Sequence, residues 1–381
     1  MISDLLQQAG YYTGLVGKWH CGNEFEPQSG FDYWFSYWNG QGLHRGPQQF
    51  SNQGTLVTVE GQQSPLLTER AIEFLRKHRT TEGAPKKPFF LFVGYVDTHS
   101  PHNAAPDDLV KQYQSATFQD IPEEDFPACH GRALDPGKKK PPGKNGKLVE
   151  YYAAVSSVDR EVGKVLAELE ANGELADTLI VYTSDHGLNT CHHGMWEKGN
   201  ATVPQNFLEE STRVSCAVSW PAGGIRQNAT CADLVNHCDL WATLLDVGGA
   251  TPNARTAAQI NSSGVSYLPQ LLGTTAPSWR KVVIGEYGNA RMARTARYKL
   301  IKRYPFGGIA HPDELYDLQE DPRETTNRFQ DAKLSDVIKS LTAEIDQFFA
   351  KYTVQGHSGL DLEHQPSPYS AAPWRRGAKQ A

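Results

Sequence analysis

The sequence predicts an α/β fold, a doubly wound and mostly parallel sheet followed by a smaller C-terminal α+β subdomain. Two continuous apolar runs, residues 88–96 and 178–183, have the length of strands buried on both faces, as in a parallel sheet. Between them, residues 148–172 carry apolar side chains at helical spacing. A helix between two buried strands, each strand followed by a polar loop, is typical of a doubly wound sheet.

The N-terminal part contains shorter elements and two stretches of loop-like composition. Helical spacing predicts a helix over residues 2–9, and a β-prone run predicts a strand over 12–16. Residues 21–64 are rich in Gly, Gln, Asn and aromatics, and we expect a long surface excursion rather than core. An amphipathic helix follows over 66–78, and the Pro-, Gly- and Lys-rich residues 120–147 predict a solvated loop.

A change in sequence pattern at about residue 276 divides the chain into two predicted units. The first, residues 1–275, is the α/β domain, predicted to end with a strand over 214–220 and a helix over 233–247. The second, residues 276–381, is predicted to be an antiparallel sheet plus a helix with a loose tail. Its predicted elements are strands over 282–287, 296–301 and 314–318 and a helix over 333–352.

Composition excludes several classes of protein. Lys and Arg number 37 and Asp and Glu 43, a net charge of −6 without a long basic run, which argues against a nucleic-acid surface. No segment approaches the roughly 20 apolar residues of a membrane span, and no signal-peptide pattern is visible. None of the six cysteines forms a C-x-x-C pair, so a zinc ribbon or redox dithiol is not expected, while disulfides and free thiols both remain open.

Polar clusters follow the predicted strands. Lys18 and His20 stand at i and i+2 after the first short strand, where strand alternation points both side chains to one side. An unrelated surface lysine and histidine would explain the same spacing. His99, with His102 three residues on, follows the apolar run that ends at Val96. A loop histidine bonded to backbone is the alternative.

Two more clusters lie near the second buried strand. Asp185 and His186 directly follow it, and a carboxylate beside an imidazole is a plausible pair of metal ligands, although Asp-His-Gly also suits a helix cap. Lys198 lies in a Gly-bounded loop with His193, from which a lysine can reach an anionic ligand. A solvated loop would look the same.

The four clusters predict a common site, because ligands of such sheets bind at the carboxyl ends of the strands. Cations or hydrogen-bond donors beside a metal-type pair suit a doubly negative tetrahedral group next to a divalent cation. Sulfate and phosphate esters fit that description. An imidazole near the bridging oxygen can donate a proton to the leaving group.

Several motifs in combination are fairly specific. They are G-K-W-H-x-G (17–22), the run ending in D-T-H-S-P-H (88–102), T-S-D-H-G (183–187), G-M-W-E-K-G (194–199), E-S-T-R-V (210–214) and E-L-Y-D-L-x-x-D-P (314–322). With these motifs the chain resembles sulfatases of the alkaline-phosphatase-like superfamily, from its first residues to about residue 350. The resemblance implies the fold of that superfamily, and it implies the hydrolysis of sulfuric esters as the activity.

The resemblance also implies roles for individual residues. Lys18 and His20 match a pair that contacts the sulfate, and His99 matches a histidine that contacts the sulfate or the leaving-group oxygen. Lys198 matches a lysine that holds the ester oxygen, and His193 is a looser candidate for substrate contact.

The implied metal site is only partly present. Asp185 and His186 match calcium ligands of the family. Members of the family also begin with a strand carrying two adjacent aspartates, followed by C-x-P-x-R or S-x-P-x-R, whose Cys or Ser becomes the formylglycine nucleophile. This sequence contains neither feature, so we expect the chain to be inactive or nearly so. An N-terminally truncated sulfatase is favoured over a degenerate homologue, because the remaining site positions carry the right chemistry.

The resemblance implies a sulfated small molecule or sulfated carbohydrate as substrate, with no nucleic acid and no membrane span. It also implies an extracytoplasmic location: secreted, periplasmic or lysosomal. The alternatives are a phosphate or phosphonate monoester hydrolase on the same scaffold, and a non-catalytic protein that binds anions or glycans.

Overall fold

The computed structural model describes residues 1–38, 45–79, 87–122, 132–133, 147–274, 278–305, 308–354, 356 and 358–360. The helices are α1 (Ile2–Gln8), α2 (Gln63–Arg79), α3 (Asp107–Gln114), α4 (Lys147–Ala171), α5 (Glu209–Thr212), α6 (His237–Val247), α7 (Ala254–Ile260), α8 (Leu268–Leu271) and α9 (Ser335–Tyr352). The strands are β1 (Tyr12–Gly17), β2 (Tyr33–Tyr37), β3 (Arg45–Asn52), β4 (Thr55–Gln62), β5 (Phe89–Gly94), β6 (Arg132–Ala133), β7 (Ile180–Tyr182), β8 (Asn189–Thr190), β9 (Trp196–Glu197), β10 (Thr202–Val203), β11 (Ala217–Ser219), β12 (Val283–Tyr287), β13 (Ala290–Arg294), β14 (Tyr298–Arg303) and β15 (Glu314–Asp317).

The central sheet has the order β4-β3-β2-β1-β5, with β1 parallel to both β2 and β5 and the remaining pairs antiparallel. Helices cover both faces. Phe74 of α2 and Leu169 of α4 pack with Val16 of β1 on one face. Leu6 of α1 and Leu245 of α6 form a cluster against which Phe90 of β5 packs on the other. The predicted α/β fold, with parallel strands at the centre of the sheet, is confirmed.

The expectation that residues 21–64 form a surface excursion is wrong. They include β2, β3 and β4, and every side chain of β2 is buried. Phe35 and Tyr37 of β2 pack on Phe50 of β3 with ring centroids 4.6 and 5.0 Å apart. The parallel pairing of β2 with β1 places the aromatics in the core, which a composition rich in Gly, Gln and Asn conceals.

The two apolar runs expected to be buried on both faces are partly open. Within the part of the chain that the structure describes, β5 pairs only with β1 and β7 only with β11. Ile180 of β7 nevertheless packs against the same cluster as Leu91 and Val93 of β5. Phe92 and Tyr182 are 47% and 43% exposed. Each strand therefore leaves one edge unpaired beside a shared core.

The C-terminal subdomain is an antiparallel sheet in the order β12-β13-β14-β15 with α9 against it. Leu300 and Leu315 of the sheet form one cluster with Leu341 and Ile345 of α9. β13 is not among the strands that the sequence predicts for this region. The boundary predicted at residue 275 is tested by none of these contacts and stays a prediction.

Other sequence predictions lie partly or wholly outside the described residues. These are most of the loop over 120–147 and the tail beyond 360. None of the described helices combines the length and apolar character needed to cross a membrane. The cysteines that the structure describes are free thiols.

Candidate active site

Two parallel strands deliver the first site residues to one edge of the sheet. Lys18 follows β1, and its backbone N–H donates to the carbonyl of Gly94 at the end of β5 (3.0 Å). This bond ties the two strand ends together. The chain then turns at Val96, whose carbonyl accepts from the N–H of His99 (2.8 Å), and the turn brings His99 to the same edge.

Several charges of the predicted cluster act on one another. Desolvation lowers the pKa of the Lys18 ammonium, and the positive charge of Lys198 lowers it further. The carboxylates of Asp185 and Glu24 act in the opposite direction and partly offset this effect. Lys198 and Asp185 therefore lie close enough to Lys18 to act on its charge.

His99 is held in one tautomer. Its Nδ1 lies 2.8 Å from the carbonyl oxygen of Ser100, and because a carbonyl only accepts, Nδ1 carries the proton. Desolvation lowers the pKa of His99, and Lys198 and Lys18 add to the lowering, while the Ser100 bond and Glu197 oppose it. Because its pKa lies below the ordinary value of 6.5, the free imidazole is neutral near pH 7 and carries its lone pair on Nε2.

Asp185 and His186 lie side by side, with Oδ2 and Nε2 3.5 Å apart. Burial raises the pKa of Asp185, but His186, its backbone N–H and Lys18 outweigh that effect and leave it below its ordinary value. Calcium takes six to eight oxygen ligands, and these two residues offer one carboxylate and one imidazole. No group of three or more His, Cys, Asp or Glu suited to a metal occurs among the described residues. The residues present do not by themselves make a calcium site.

The remaining predicted residues occupy different surroundings. His193 is buried, has a positive φ of 53° and places Nε2 3.4 Å from Oε2 of Glu210. His20 is exposed and also has a positive φ, 55°. Because β1 ends at Gly17, strand alternation does not extend to His20. Substrate contact by either histidine stays a prediction.

Sequence reasoning missed three carboxylates around these cations. Glu24 acts on Lys18, Glu197 acts on His99, and Glu210 pairs with His193. Glu24 was hidden inside the stretch taken as surface loop, although the structure buries it. Glu197 precedes Lys198 and has a φ of 113°, a backbone conformation that no sequence pattern predicted.

Comparison with known families identifies the architecture around this edge. The family model described as Sulfatase matches residues 1–250, which is most of the α/β part and includes every predicted site residue. This chain belongs to the sulfatase family. A second model, described as N-sulphoglucosamine sulphohydrolase, C-terminal, matches residues 193–351. The predicted membership and the enzyme class that it implies are thereby confirmed.

Curated relatives carry sulfatase names. An N-acetylglucosamine-6-O-sulfatase of Bacteroides thetaiotaomicron is 26% identical to this sulfatase-family chain over 91% of the chain and 72% of the relative. An N-acetylglucosamine-6-sulfatase of Capra hircus is 29% identical over 74% of the chain and 50% of the relative. The chain spans about half the length of this and several other relatives that it matches.

Solved structures show the same fold. A protein crystallised in complex with its substrate, D-glucosamine-2-N,6-O-disulfate, superposes with a TM-score of 0.74 at 24% identity, over 93% of this chain and 83% of that one. The phosphonate monoester hydrolase of Agrobacterium radiobacter gives 0.66 at 18% identity, over 91% and 79%. At such identities the likeness establishes the sulfatase-type fold and leaves the substrate open.

Proposed function

We propose that this chain forms the anion-binding part of a sulfuric ester hydrolase that acts on a sulfated small molecule or a sulfated carbohydrate. The observation that carries the proposal is the electrostatic coupling within the cluster, in which Lys198 lowers the pKa of Lys18 and both lysines lower the pKa of His99, while Asp185 and Glu24 offset part of the effect on Lys18. Lysines that repel one another in a partly desolvated space favour the binding of an anion.

Each cation has a distinct part in holding the ester. The ammonium groups of Lys18 and Lys198 neutralise charge on the non-bridging oxygens. Desolvation lowers the pKa of Lys18 and the charge of Lys198 lowers it further, and an entering anion relieves this repulsion. His99 presents Nε2 as a lone pair in the free site. When an anion raises its pKa, the same nitrogen gains a proton that it can donate to the leaving-group oxygen.

We propose further that this chain does not itself supply the nucleophile or a complete set of acidic metal ligands. Three observations support it. No C-x-P-x-R or S-x-P-x-R motif occurs in the sequence, and Asp185 and His186 are too few ligands for calcium. In addition, among the described residues β5 pairs only with β1 and β7 only with β11, and both strands lie beside a shared core, next to the loops that carry His99 and Asp185. We therefore propose that the chain alone is inactive or nearly so.

Sulfate binding tests the proposal without requiring turnover. Calorimetric titration of the chain with sodium sulfate should give a saturable isotherm that Lys18→Met and Lys198→Met each weaken at least about tenfold, roughly 1.4 kcal/mol. Lys339→Met is the matched control, because this exposed lysine on α9 pairs only loosely with Asp336 (3.8 Å). Equal affinities for all four proteins, or no saturable binding by the natural chain, would contradict the proposed site.

Turnover separates the enzymatic alternatives. The fold likeness to a phosphonate monoester hydrolase favours phosphate or phosphonate esters as the second candidate. An aryl sulfate and an aryl phosphonate should both resist the chain as printed, and measurable hydrolysis of either would contradict its inactivity. A form extended by a C/S-x-P-x-R segment should hydrolyse one of them, and the preferred ester decides between the candidates. If the extended form binds sulfate without hydrolysis, the non-catalytic alternative holds.

An extracytoplasmic location belongs to the same proposal and rests on family resemblance. Export of the full-length protein, measured by fractionation of the source cells, tests it.

A further inference from the structure

The short helix α5 supports two of the loops that line the site. The carbonyl of Ser211 accepts from the N–H of Gly187 (3.0 Å), and the Ser211 hydroxyl accepts from the side chain of Asn189 (2.7 Å). Gly187 lies so close to α5 that a Cβ there would stand 2.0 Å from the carbonyl oxygen of Glu210. Glu210 in turn faces His193. A shift of α5 would therefore move the Asp185–Gly187 loop and His193 together.

The first residue of α5 is held by charges from the C-terminal subdomain. Glu209 Oε1 lies 2.7 Å from Nζ of Lys299 on β14, and the Glu209 carboxylate also accepts from Arg294 of β13 at 3.1 and 3.3 Å. The backbone N–H of Glu209 donates to Glu324 Oε2 (2.6 Å). Both the side chain and the backbone at the start of α5 are thus fixed by residues that follow it by 85 or more positions in the chain.

Lys299 is the centre of this arrangement. Its side chain is 0% exposed, and the ammonium forms ion pairs with Glu209 Oε1 (2.7 Å) and Glu324 Oε1 (2.8 Å) and donates to the carbonyl oxygen of Phe207 (2.8 Å). Burial raises the pKa of Glu209, but Lys299 and Arg294 outweigh that effect and hold it at about 2. Two carboxylates balance two cations, and removal of one partner leaves a buried charge uncompensated.

We infer that Lys299 is a positioning residue of the anion site, acting through Glu209 and α5 on Gly187 and His193. The inference rests on the proposed function in so far as these two residues line the site of the sulfate ester. It makes the C-terminal subdomain a part of the active-site scaffold rather than an appendage. Apolar packing alone would keep the subdomain attached, whereas the directed bonds of Lys299 fix where α5 begins.

The test separates position from stability. In Lys299→Met/Glu324→Gln, one positive and one negative charge are removed, so the buried cluster stays neutral while the ion pair of Lys299 with Glu209 is lost and the bonds from Arg294 to Glu209 remain. Arg297→Met is the control, because Arg297 precedes β14 by one residue and pairs with Asp317 (2.8 Å) inside the C-terminal subdomain. The readouts are thermal unfolding, the NMR signals of the His193 ring, assigned with His193→Gln, and the affinity for inorganic sulfate.

We expect the double variant to fold, to shift the His193 signals and to bind sulfate at least tenfold more weakly, while Arg297→Met changes neither readout. A folded double variant with natural His193 signals and natural affinity would overturn the inference. If the double variant does not fold, Glu209→Gln tests the inference instead, because it keeps the shape of the side chain. It should shift the His193 signals and weaken sulfate binding in the same direction but by a smaller amount. If the natural chain binds no sulfate, the proposed function fails while the His193 signals still test Lys299.

Discussion

The backbone N–H of Lys18 donates a hydrogen bond to the carbonyl of Gly94, so a lysine of the predicted anion site also links the ends of β1 and β5. The close approach of the two backbones at this point requires a glycine before Lys18. Gly17 has a φ of +102°, and a Cβ built on it would lie 2.3 Å from the oxygen of Gly94. The position of the Lys18 ammonium thus depends on the backbone geometry of the preceding residue.

Substitution Gly17→Ala is expected to destabilise the protein and weaken sulfate binding. A positive φ costs a residue with a Cβ on the order of 1–3 kcal/mol, and the clash with Gly94 adds to that cost. Gly10→Ala is the control, because Gly10 has a similar φ of +95° with nothing within 4 Å of the added Cβ. Urea unfolding should show a clearly larger loss at position 17, and equal losses would contradict the close approach.

Sulfate binding should take up protons through His99. The lowered pKa leaves the free imidazole neutral, and an adjacent anion raises the pKa, so affinity falls as the pH rises through the pKa of the bound state. Calorimetry at pH 6.5 in buffers of different ionisation enthalpy measures the uptake. His99→Gln should abolish it, whereas His237→Gln, at an exposed position on α6, should leave it unchanged. Uptake that survives in His99→Gln would contradict the assignment.

Asp97 should make stability depend on pH. Burial raises its pKa from 3.8 to about 6, Glu161 adds to the rise, and hydrogen bonds from Ser64 oppose it. A raised pKa stabilises the fold below the unfolded value and loses that contribution as the pH rises from about 4 to about 6, by roughly 3 kcal/mol. Asp97→Asn should therefore raise the melting temperature at pH 7 but not at pH 4.

The exposed Asp336 supplies the control for that measurement, since Asp336→Asn on α9 should change the melting temperature little at either pH. A benefit of Asp97→Asn that is the same at pH 4 and pH 7 would show that its carboxyl titrates normally.

Calcium should bind this chain weakly. Asp185 and His186 supply two ligand groups where calcium prefers six to eight oxygens, so we expect a Kd of about 1 mM or weaker. Asp185→Asn should remove the remaining binding, as followed by calorimetry. Micromolar affinity in the natural chain, or binding unaffected by Asp185→Asn, would contradict the two-ligand site.

Site residues could be predicted from the sequence where polar side chains directly follow a run that strongly predicts a strand. His99 and Asp185 each come within three residues of the end of an apolar run, and Lys18 follows a short β-prone run. Because the ends of neighbouring strands share one edge of a sheet, their convergence could be expected. Lys198 was found through the motif around it and not through periodicity.

The rest depended on contacts between distant parts of the chain. Nothing local marks β2 as a core strand, since its burial comes from pairing with β1. Lys299 would be taken as a solvent-facing residue of an amphipathic strand, yet it is fully buried because Glu209 and Glu324 meet it there. The exposure of Phe92 could not be predicted from the sequence either. An apolar run shows that burial is favourable, but it does not show which neighbouring element would cover each side chain.

Within the part of the chain that the structure describes, β5 and β7 each have one strand edge without a partner, which has a practical consequence for work with the purified chain. A strand edge of this kind beside an exposed Phe92 allows another extended chain to add hydrogen bonds. Self-association should therefore grow with protein concentration, and light scattering would follow it. Charge introduced at Phe92, as in Phe92→Lys, should keep the sample monodisperse, so solubility itself becomes a readout of this edge.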